Sequence, residues 1–336
     1  MNAGTKIWFD ITNTPQVHFL NAIKNSLTSQ GYSRFVFTAR DFSETISLIK
    51  EKGIEEYYVF GDHYGSNKLK KSLGLFSRFL NIYKSNIDYD ISISCGSESA
   101  VYTSKLKRKK SIAFGDNDIA RQWTYGYFVD YAFFPDAIDK NILERQGLKN
   151  KLYLYPGFKE DIYIADFMPD PSFINNLPFS NYVLVRPENI HANYLRNKVQ
   201  TITGELLKTL EKRGYNIVFL PRYPFDKEYA KGLKKIFIPE KAVDGLNACY
   251  FADAVLTGAG SFAREAACLG VPSFSFYAGK DLLSVDKKLI NEGRMVFSRN
   301  VNELVNNVLI SKKKEPDLMR SKEVRDQVVS KLISLI

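Results

Sequence analysis

The chain has 336 residues, of which 45% are hydrophobic and 25% are charged. This balance excludes a disordered, collagenous or wholly coiled-coil protein, and the length suffices for two domains of about 150 residues each. Lysine and arginine outnumber acidic residues by 47 to 37, and the formal net charge of +10 favours anionic partners such as nucleotides, nucleic acid or acidic lipid.

The first half of the sequence alternates short β-prone runs with helical patterns. In the first helical pattern, apolar residues recur at helical spacing from Val17 to Leu27, and Gly31 follows as a C-terminal stop. Such alternation is typical of βαβ units that form a parallel sheet with helices on both faces. The predicted strands cover 6–11, 34–38, 56–60, 90–95, 111–114 and 131–134, and the predicted helices cover 16–30, 43–52, 68–86, 98–107 and 117–128.

A proline-rich connection near 167–181 leads to a second alternating half. We therefore predict an α/β protein with two Rossmann-like, doubly wound parallel-sheet domains at 1–168 and 169–312 and an interdomain cleft for the ligand. Residues 313–336 are predicted as a C-terminal helix, with packing against the first domain as one option. Predicted strands of the second half cover 182–186, 216–220, 254–257 and 272–276, and predicted helices cover 197–213, 261–269, 285–292 and 300–310.

A polar loop, Thr12-Asn13-Thr14, follows the first predicted strand, and His18 lies in the first turn of the next helix. In a doubly wound sheet this loop faces the ligand, so Asn13 is a candidate acceptor-binding residue. Near the positive end of a helix a neutral imidazole is favoured, and it can take a proton from an acceptor hydroxyl. The alternative is a histidine that hydrogen-bonds its own loop.

A second strand end carries the run Cys95-Gly96-Ser97-Glu98. Gly96, Ser97 and Glu98 are candidate contacts for polar groups of the acceptor, and helix capping is an equally good interpretation of the same residues. Cys95 is not predicted to be a nucleophile, because no histidine follows it closely in the sequence.

The run Gly115-Asp116-Asn117-Asp118 follows the next strand. Two neighbouring carboxylates favour different protonation states, which suits acid–base work and makes Asp116 a candidate catalytic residue. The alternative is an Asp or Asn helix cap with a solvated neighbour, and this alternative fits Asp118 best.

In the second half, two strand ends carry arginines. Arg186 and the nearby His191 are candidates to contact phosphate oxygens, and Glu188 between them is a candidate for sugar hydroxyls. Arg222, after the next strand, is a candidate for the diphosphate or the base. The alternative is a pair of loops with ordinary surface charges.

The small-residue run Gly258-Ala259-Gly260-Ser261 follows a predicted strand and leads into a helix. Small residues allow a phosphate to approach the backbone, and N–H groups at a helix N-terminus attract anions. Ser261 is a candidate helix cap that also bonds an anionic oxygen, and Glu265 lies one turn further, within reach of ribose hydroxyls. The alternative is a tight turn with an exposed Glu, because the run is neither GxGxxG nor a Walker loop.

Cysteine and histidine are scarce, and no CxxC pair exists. We therefore expect neither a disulfide framework nor a histidine-based metal site. No apolar run approaches the roughly 20 residues that span a bilayer, and the N-terminus lacks a signal-peptide pattern, which favours a cytoplasmic protein. Nothing indicates nucleic acid as a partner, since no RRM or zinc-finger signature is present.

The run from Lys105 to Lys110 has five cations in six residues. It is either a solvated face or a surface that attracts anionic lipid headgroups or a polyanionic acceptor. In the lipid case the protein would lie peripherally at the inner face of the membrane.

Together these segments resemble GT-B superfamily proteins and, more narrowly, domain-of-unknown-function family 354. Members of that family open with a strand and an Asp-Ile-x-Asn-x-Pro-x-Val-His-Phe stretch, which is Asp10 to Phe19 in this sequence. The resemblance continues through 38–41, 155–160, 186–188 and 257–272 and covers most of the chain.

The resemblance implies two Rossmann-like domains and a nucleotide-sugar site mostly in the C-terminal half, with a UDP-sugar as substrate and no cofactor. More distantly, the chain is similar to MurG-type transferases and non-hydrolysing UDP-GlcNAc 2-epimerases. In those relatives a Gly/Ser turn holds the diphosphate and a helical Glu holds the ribose, and the run 258–261 and Glu265 match these positions. His18 matches the transferase histidine, whereas Arg186-Pro187-Glu188-Asn189 only echoes the epimerase His-Arg-x-Glu-Asn pattern.

The first functional hypothesis is a metal-independent glycosyltransferase that uses a nucleoside diphosphate sugar in surface glycan or polysaccharide biosynthesis. His18 or Asp116 would activate a glycan or lipid-linked acceptor. Helix N-termini and Arg186 or Arg222 would stabilise the departing diphosphate.

Two alternatives accompany it. One is a 2-epimerase that eliminates and re-adds the diphosphate, with Asp116, Glu98 and Glu188 as acid–base groups. The other is a non-catalytic protein that binds a nucleotide sugar or glycan.

Overall fold

The computed structural model describes residues 4–42, 44–62, 68–188, 200–241 and 243–336. The chain forms two compact units, the first with residues up to 165 and the segment 322–336, and the second with 166–321. The division at 165/166 lies close to the predicted boundary at 168/169.

Within the described residues, the first unit is built on a seven-stranded sheet of order β3-β2-β1-β4-β5-β6-β7. Every neighbouring pair in this sheet is parallel. Its strands are β1 (Lys6–Ile11), β2 (Arg34–Ala39), β3 (Tyr57–Val59), β4 (Ile91–Ser94), β5 (Lys110–Phe114), β6 (Tyr131–Pro135) and β7 (Leu152–Tyr155). The helices between them are α1 (Pro15–Ser29), α2 (Thr45–Glu51), α3 (Lys68–Lys84), α4 (Glu98–Leu106), α5 (Trp123–Gly126), α6 (Lys140–Leu143) and α7 (Lys159–Ile164).

The described part of the second unit contains a six-stranded parallel sheet of order β10-β9-β8-β11-β12-β13. Its strands are β8 (Val183–Arg186), β9 (Ile217–Phe219), β10 (Ile236–Phe237), β11 (Ala254–Thr257), β12 (Ser273–Ser275) and β13 (Val296–Phe297). Its helices are α8 (Thr203–Lys212), α9 (Gly245–Phe251), α10 (Gly260–Cys268), α11 (Ser284–Asn291) and α12 (Val301–Ile310), and α13 (Leu318–Ile333) follows. Two parallel-sheet α/β units confirm the predicted fold class.

One helix is much shorter than the sequence pattern indicates. The pattern predicts a helix over 117–128, but only α5 forms there. The Asn117 side chain accepts hydrogen bonds from the backbone N–H groups of Ile119 and Ala120, at 2.9 and 3.0 Å. This local turn competes with the helix, as Asn side chains commonly do.

The C-terminal helix α13 supplies part of the core of the first unit. Val324, Val328 and Leu332 are buried in the same cluster as Tyr155 and Ile162. The turn after β7 has no room for a side chain: Gly157 has a φ of +114°, and a Cβ there would lie 2.6 Å from the Val324 side chain. The tail therefore braces the turn that leads into α7.

Strand β1 alternates between the two faces of its sheet. Ile7 and Phe9 enter the core with α13, whereas Trp8 packs against Ile82 and Tyr89 on the opposite face. Asp10 shares that second face and is fully buried. It therefore requires partners within the protein.

Those partners come from three other elements. The Arg78 guanidinium on α3 binds both oxygens of Asp10, at 2.5 and 3.0 Å, and the hydroxyls of Thr38 and Ser97 donate to the same carboxylate. Burial alone would raise the pKa of Asp10, but Arg78 and the two hydroxyls outweigh it and lower that pKa below 3.8. The stabilisation from this pair is thus present at neutral pH and is lost as the pH falls through the lowered pKa.

Replacing Asp10 with asparagine leaves the Arg78 guanidinium buried without a counter-ion. We expect the free energy of unfolding of the first unit to fall by about 3–5 kcal/mol. Both tryptophans, Trp8 and Trp123, lie in that unit, so urea unfolding followed by tryptophan fluorescence reports on it alone.

Asp88→Asn is the matched control, because Asp88 pairs with Arg34 at 3.8 Å through a side chain that is 74% exposed. We expect this control to cost about 0–1 kcal/mol. Equal losses for the two variants would contradict the role of the buried pair.

Candidate functional site

In both units, the candidate residues lie near the carboxyl ends of the strands. The strand that comes first in the chain, β1 in one sheet and β8 in the other, is an interior strand of its sheet. The order of the strands reverses next to it, between β1 and β4 and between β8 and β11. In doubly wound sheets, ligands bind at this reversal.

The small-residue run joins β11 to α10. Ala259 is the N-cap and has extended backbone, and its N–H donates to the Thr257 hydroxyl at 2.9 Å. Gly260 and Ser261 are the first two residues of the helix. Their N–H groups belong to the set that has no partner within a helix and attracts anions.

Ser261 was expected to cap α10, and this prediction is wrong. The helix begins one residue earlier than predicted, so Ser261 lies in its first turn. The N-cap residue is Ala259, whose side chain makes no capping hydrogen bond. The Ser261 hydroxyl instead lies 3.4 Å from a guanidinium nitrogen of Arg264. A role of Ser261 in binding a phosphate oxygen stays a prediction.

Gly258 is required by packing between two strand ends. Its N–H donates to the Arg186 carbonyl at 3.0 Å, and a Cβ at Gly258 would lie 2.6 Å from the Cα of Glu188. Any side chain would push the ends of β8 and β11 apart. Close strand packing thus explains this glycine without a ligand.

Glu188 is buried, and its carboxylate is held by four donors among the described residues. The hydroxyls of Thr201 and Thr203 bind one oxygen at 2.8 and 2.5 Å. The Ile202 N–H and the Arg299 guanidinium bind the other at 3.0 and 3.3 Å. We therefore interpret Glu188, a predicted sugar contact, as the residue that fixes the end of β8 to the start of α8.

Two arginines that the sequence pattern did not indicate brace this edge. Arg299 donates to the carbonyls of Phe276 and Gln200, both at 2.7 Å, in addition to Glu188. Arg264 pairs with Asp286 at 3.0 Å, and both side chains are buried. Nothing in the local sequence marks either arginine, and only its distant partner reveals its role.

Arg186 and Glu265 both act electrostatically on the buried Cys249. The Arg186 guanidinium lies 4.8 Å from the centre of the Phe262 ring. Burial raises the pKa of the Cys249 thiol, and the charges of Glu265 and Arg186 are close enough to act on it. Glu265 is itself buried, which differs from the exposed Glu of the alternative interpretation.

Arg222 lies on the neighbouring strand end. Its side-chain Nε donates to the Pro187 carbonyl at 3.1 Å, and its backbone N–H donates to Asp226 at 2.8 Å. The ends of β8 and β9 are therefore tied together. His191, the other predicted phosphate contact of this edge, lies outside the described residues.

In the first unit, the loop after β1 is ordered by its own side chains. Gln16 accepts hydrogen bonds from the backbone N–H and the hydroxyl of Thr12, at 2.7 and 3.1 Å. The Oδ1 atom of Asn13 is buried and has no hydrogen-bond partner among the described residues. A buried acceptor of this kind indicates a water or ligand donor. His18 is half-buried on α1, and its ring stacks on Tyr163 at 6.2 Å.

Asp116 forms an ion pair with Lys159, the first residue of α7, at 2.6 Å. A cation at this distance favours the ionised carboxylate, the form that accepts a proton. Lys159 was not predicted as a site residue. Burial raises the pKa of the nearby Cys95 thiol to about 12, with smaller opposing effects of Lys159 and Asp116, so this cysteine stays protonated at neutral pH.

The run Gly96-Ser97-Glu98 follows β4, and its residues contribute to helix capping as well as to the candidate site. Gly96 has a φ of +70°, and a Cβ there would lie 2.9 Å from the Tyr125 ring. The Ser97 hydroxyl accepts from the Ala100 N–H and donates to Asp10, so it caps α4 and belongs to the buried network. Glu98 accepts a hydrogen bond from the Thr124 hydroxyl at 3.0 Å.

The described residues contain no group of three or more His, Cys, Asp or Glu side chains placed to hold a metal ion. Nor does any helix in the described ranges combine the length and hydrophobicity of a membrane span.

The sequence profile described as "Protein of unknown function (DUF354)" matches residues 5–334. The chain belongs to this family. It is also 27% identical over 329 residues to Uncharacterized protein MJ0665 of Methanocaldococcus jannaschii, and the match covers 90% of each chain.

This DUF354 member shares its fold with solved structures of GT-B proteins. UDP-GlcNAc 2-epimerase of Methanocaldococcus jannaschii, in complex with UDP-GlcNAc and UDP, has a TM-score of 0.72 at 17% identity and covers 98% of this chain and 100% of that one. The glycotransferase of kitacinnamycin has a TM-score of 0.59 at 10% identity, with 97% and 95% covered. At these identities the likeness confirms the GT-B fold.

The packing at Gly258 leads to a stability prediction. Gly258→Ala should lower the free energy of unfolding of the second unit by about 1–3 kcal/mol, because the new methyl group meets the Glu188 backbone. Hydrogen exchange of the amides of β8 and β11 measures this loss within the second unit.

Gly204→Ala is the control, because a Cβ at this helical position meets only an ordinary contact at 3.4 Å. We expect the control to be neutral or stabilising by up to about 1 kcal/mol. Unchanged exchange in Gly258→Ala would contradict the close packing of the two strand ends.

Proposed function

We propose that this DUF354 member is an enzyme acting on a nucleoside diphosphate sugar, as a metal-independent GT-B glycosyltransferase with a UDP-sugar donor. One observation carries the proposal: at the carboxyl edge of the second sheet, Arg186 packs on Phe262 in the first turn of α10, the helix that also carries the buried Glu265. Helix amides and an arginine favour a diphosphate, and a carboxylate favours hydroxyl groups.

The second unit binds the donor in this proposal. The N–H groups of Gly260 and Ser261 hold the diphosphate. Arg186 and Arg222 supply positive charge that stabilises the negative charge developing on the diphosphate as it departs. Glu265 accepts hydrogen bonds from the ribose hydroxyls. The solved epimerase structure with UDP-GlcNAc and UDP, which shares the fold, supports this choice of ligand class.

The first unit binds the acceptor, a glycan or a lipid-linked sugar of surface polysaccharide synthesis. The buried Oδ1 of Asn13 accepts a hydrogen bond from one acceptor hydroxyl. The reacting hydroxyl oxygen bonds to the anomeric carbon of the donor, the bond from that carbon to the diphosphate breaks, and Asp116 or His18 takes the hydroxyl proton. Lys159 holds Asp116 in its charged form.

A 2-epimerase is the second candidate, because several epimerase structures share this fold, with TM-scores up to 0.72. Epimerisation at C2 needs acid–base groups around the sugar. Asp116 and Glu98 lie at the carboxyl ends of strands in the first sheet. The carboxylate of Glu188, in contrast, is already occupied by four hydrogen-bond donors. The loss of Glu188 from the acid–base set favours the transferase.

One incubation with UDP-GlcNAc in deuterated water separates the candidates. A transferase releases UDP only when an acceptor is added and leaves the sugar free of deuterium. An epimerase that removes the C2 hydrogen gives an isomeric UDP-sugar with deuterium at C2. Binding without turnover across an acceptor panel would favour the non-catalytic alternative.

Glu265→Gln should weaken UDP binding about tenfold or more, because hydrogen bonds to a charged partner are lost. Titration calorimetry with UDP measures the change. Glu205→Gln is the control, since Glu205 is an exposed carboxylate in the first turn of α8. Equal affinities for both variants would remove Glu265 from the nucleotide site.

Asp116→Asn should reduce turnover about 100-fold or more because the proton acceptor is lost, while UDP affinity stays unchanged because the nucleotide is held by the second unit. Asp118→Asn, two residues away, should keep turnover near the wild-type rate. A normal rate for Asp116→Asn would leave His18 as the candidate base.

A further inference from the structure

An apolar surface covers one side of the first unit, on α3, α4 and the segment after α5. Six large hydrophobic side chains on it are 40–63% exposed. Exposed apolar groups on this scale mark interaction sites when they are contiguous. They are Leu73, Phe76, Tyr83, Leu106, Tyr127 and Phe128, and we refer to them as the α3–α5 surface.

Helix α3 has one buried side and an exposed apolar stripe on the opposite side. Arg78 and Ile82 are buried on the inner side, where Arg78 meets Asp10. Leu73, Phe76 and Tyr83 face solvent at spacings of three and seven residues, which places them along one stripe. A surface helix that packs only inward carries polar residues on such a stripe.

Aromatic contacts make the surface continuous. The ring centre of Phe79 lies 6.1 Å from that of Phe76 and 6.2 Å from that of Tyr83, both on α3. It also lies 6.1 Å from the ring centre of Tyr102 on α4. Tyr102 in turn meets Phe128 edge-on at 5.4 Å. The rings therefore form one connected area across three elements.

Lysines lie at the border of this apolar area. The Lys107 ammonium lies 5.9 Å from the Tyr83 ring centre, and Lys151 donates to the carbonyls of Gly126 and Tyr127 at 3.0 and 2.9 Å. Lys105 is exposed and close enough to Lys151 for their charges to interact. Lys84 is exposed at the C-terminal end of α3.

We propose that the α3–α5 surface docks onto an anionic lipid bilayer. Aromatic and aliphatic side chains enter the boundary between headgroups and acyl chains, and the bordering lysines meet lipid phosphates. Self-pairing of this surface would bring two lysine rims together, which is unfavourable, and a soluble polyanion would leave the apolar centre uncovered.

This surface differs from the basic run 105–110 that the sequence indicated. Lys109 pairs with Asp90 at 3.5 Å, and Lys110 donates to the Leu335 carbonyl at 2.9 Å. The aromatic residues of α3 and the segment after α5 therefore carry the inference, with Lys105 and Lys107 at their border. It stands independently of the proposed catalytic activity.

Co-sedimentation with vesicles tests the apolar centre. Wild-type protein should sediment with vesicles of equal parts phosphatidylglycerol and phosphatidylcholine, without any nucleotide sugar. The double variant Leu73→Ser/Phe76→Ser should bind about fivefold less or worse, because its insertion area is reduced. Leu309→Ser/Ile310→Ser should bind as wild type, since it removes two similarly exposed residues from α12.

The lysine rim is tested separately. Lys84→Gln/Lys105→Gln should weaken binding to the same vesicles severalfold, whereas Lys208→Gln/Lys212→Gln on α8 should not. Pure phosphatidylcholine vesicles should bind wild-type protein weakly. Far-UV circular dichroism and thermal unfolding verify that each variant, in either unit, is folded.

Three results would overturn the proposal. The first is wild-type protein that stays in solution with the anionic vesicles. The second is equal binding by each test pair and its control pair. The third is a change of lipid-free Leu73→Ser/Phe76→Ser from dimer to monomer in sedimentation velocity, which assigns the surface to a second copy of the chain.

Discussion

Each unit depends on one buried carboxylate at the carboxyl end of its first strand. Asp10 is held by Arg78 and by hydroxyls from two other elements, and Glu188 is held by Arg299 and by two threonines. A buried charge without partners is costly, so each carboxylate fixes the elements that satisfy it. These elements border the chain reversal, where the candidate ligand residues lie.

Much of the fold could be predicted from the sequence because parallel strands buried on both faces are continuous apolar runs. Strands β7, β10 and β13 and helices α6, α7 and α9 were not predicted, although β7 is an apolar run, Leu152–Tyr155. Strands β10 and β13 have two residues each, too few for a period, and their pairing with longer neighbours defines them. The helix expected over 117–128 failed because Asn117 bonds its own backbone, which hydrophobic spacing does not reveal.

Asp116, the run 258–261 and Glu265 could be proposed from the sequence because each lies at or soon after a strand end, and their roles stay predictions. Site contacts were not predictable where the partner is distant in sequence. Lys159 is 43 residues from Asp116, and Arg299 is 111 residues from Glu188. Glu188 was predicted to contact a sugar, but its contacts with distant residues lead us to interpret it as the residue that fixes β8 to α8.

The central claim is that the second unit binds the diphosphate of a nucleotide through the N-terminus of α10. Hydrogen–deuterium exchange with and without UDP tests it most directly, because it resolves protection by segment. We predict slower exchange across 258–264 and unchanged exchange in α2. Protection confined to the first unit, or none at saturating UDP, would contradict the claim.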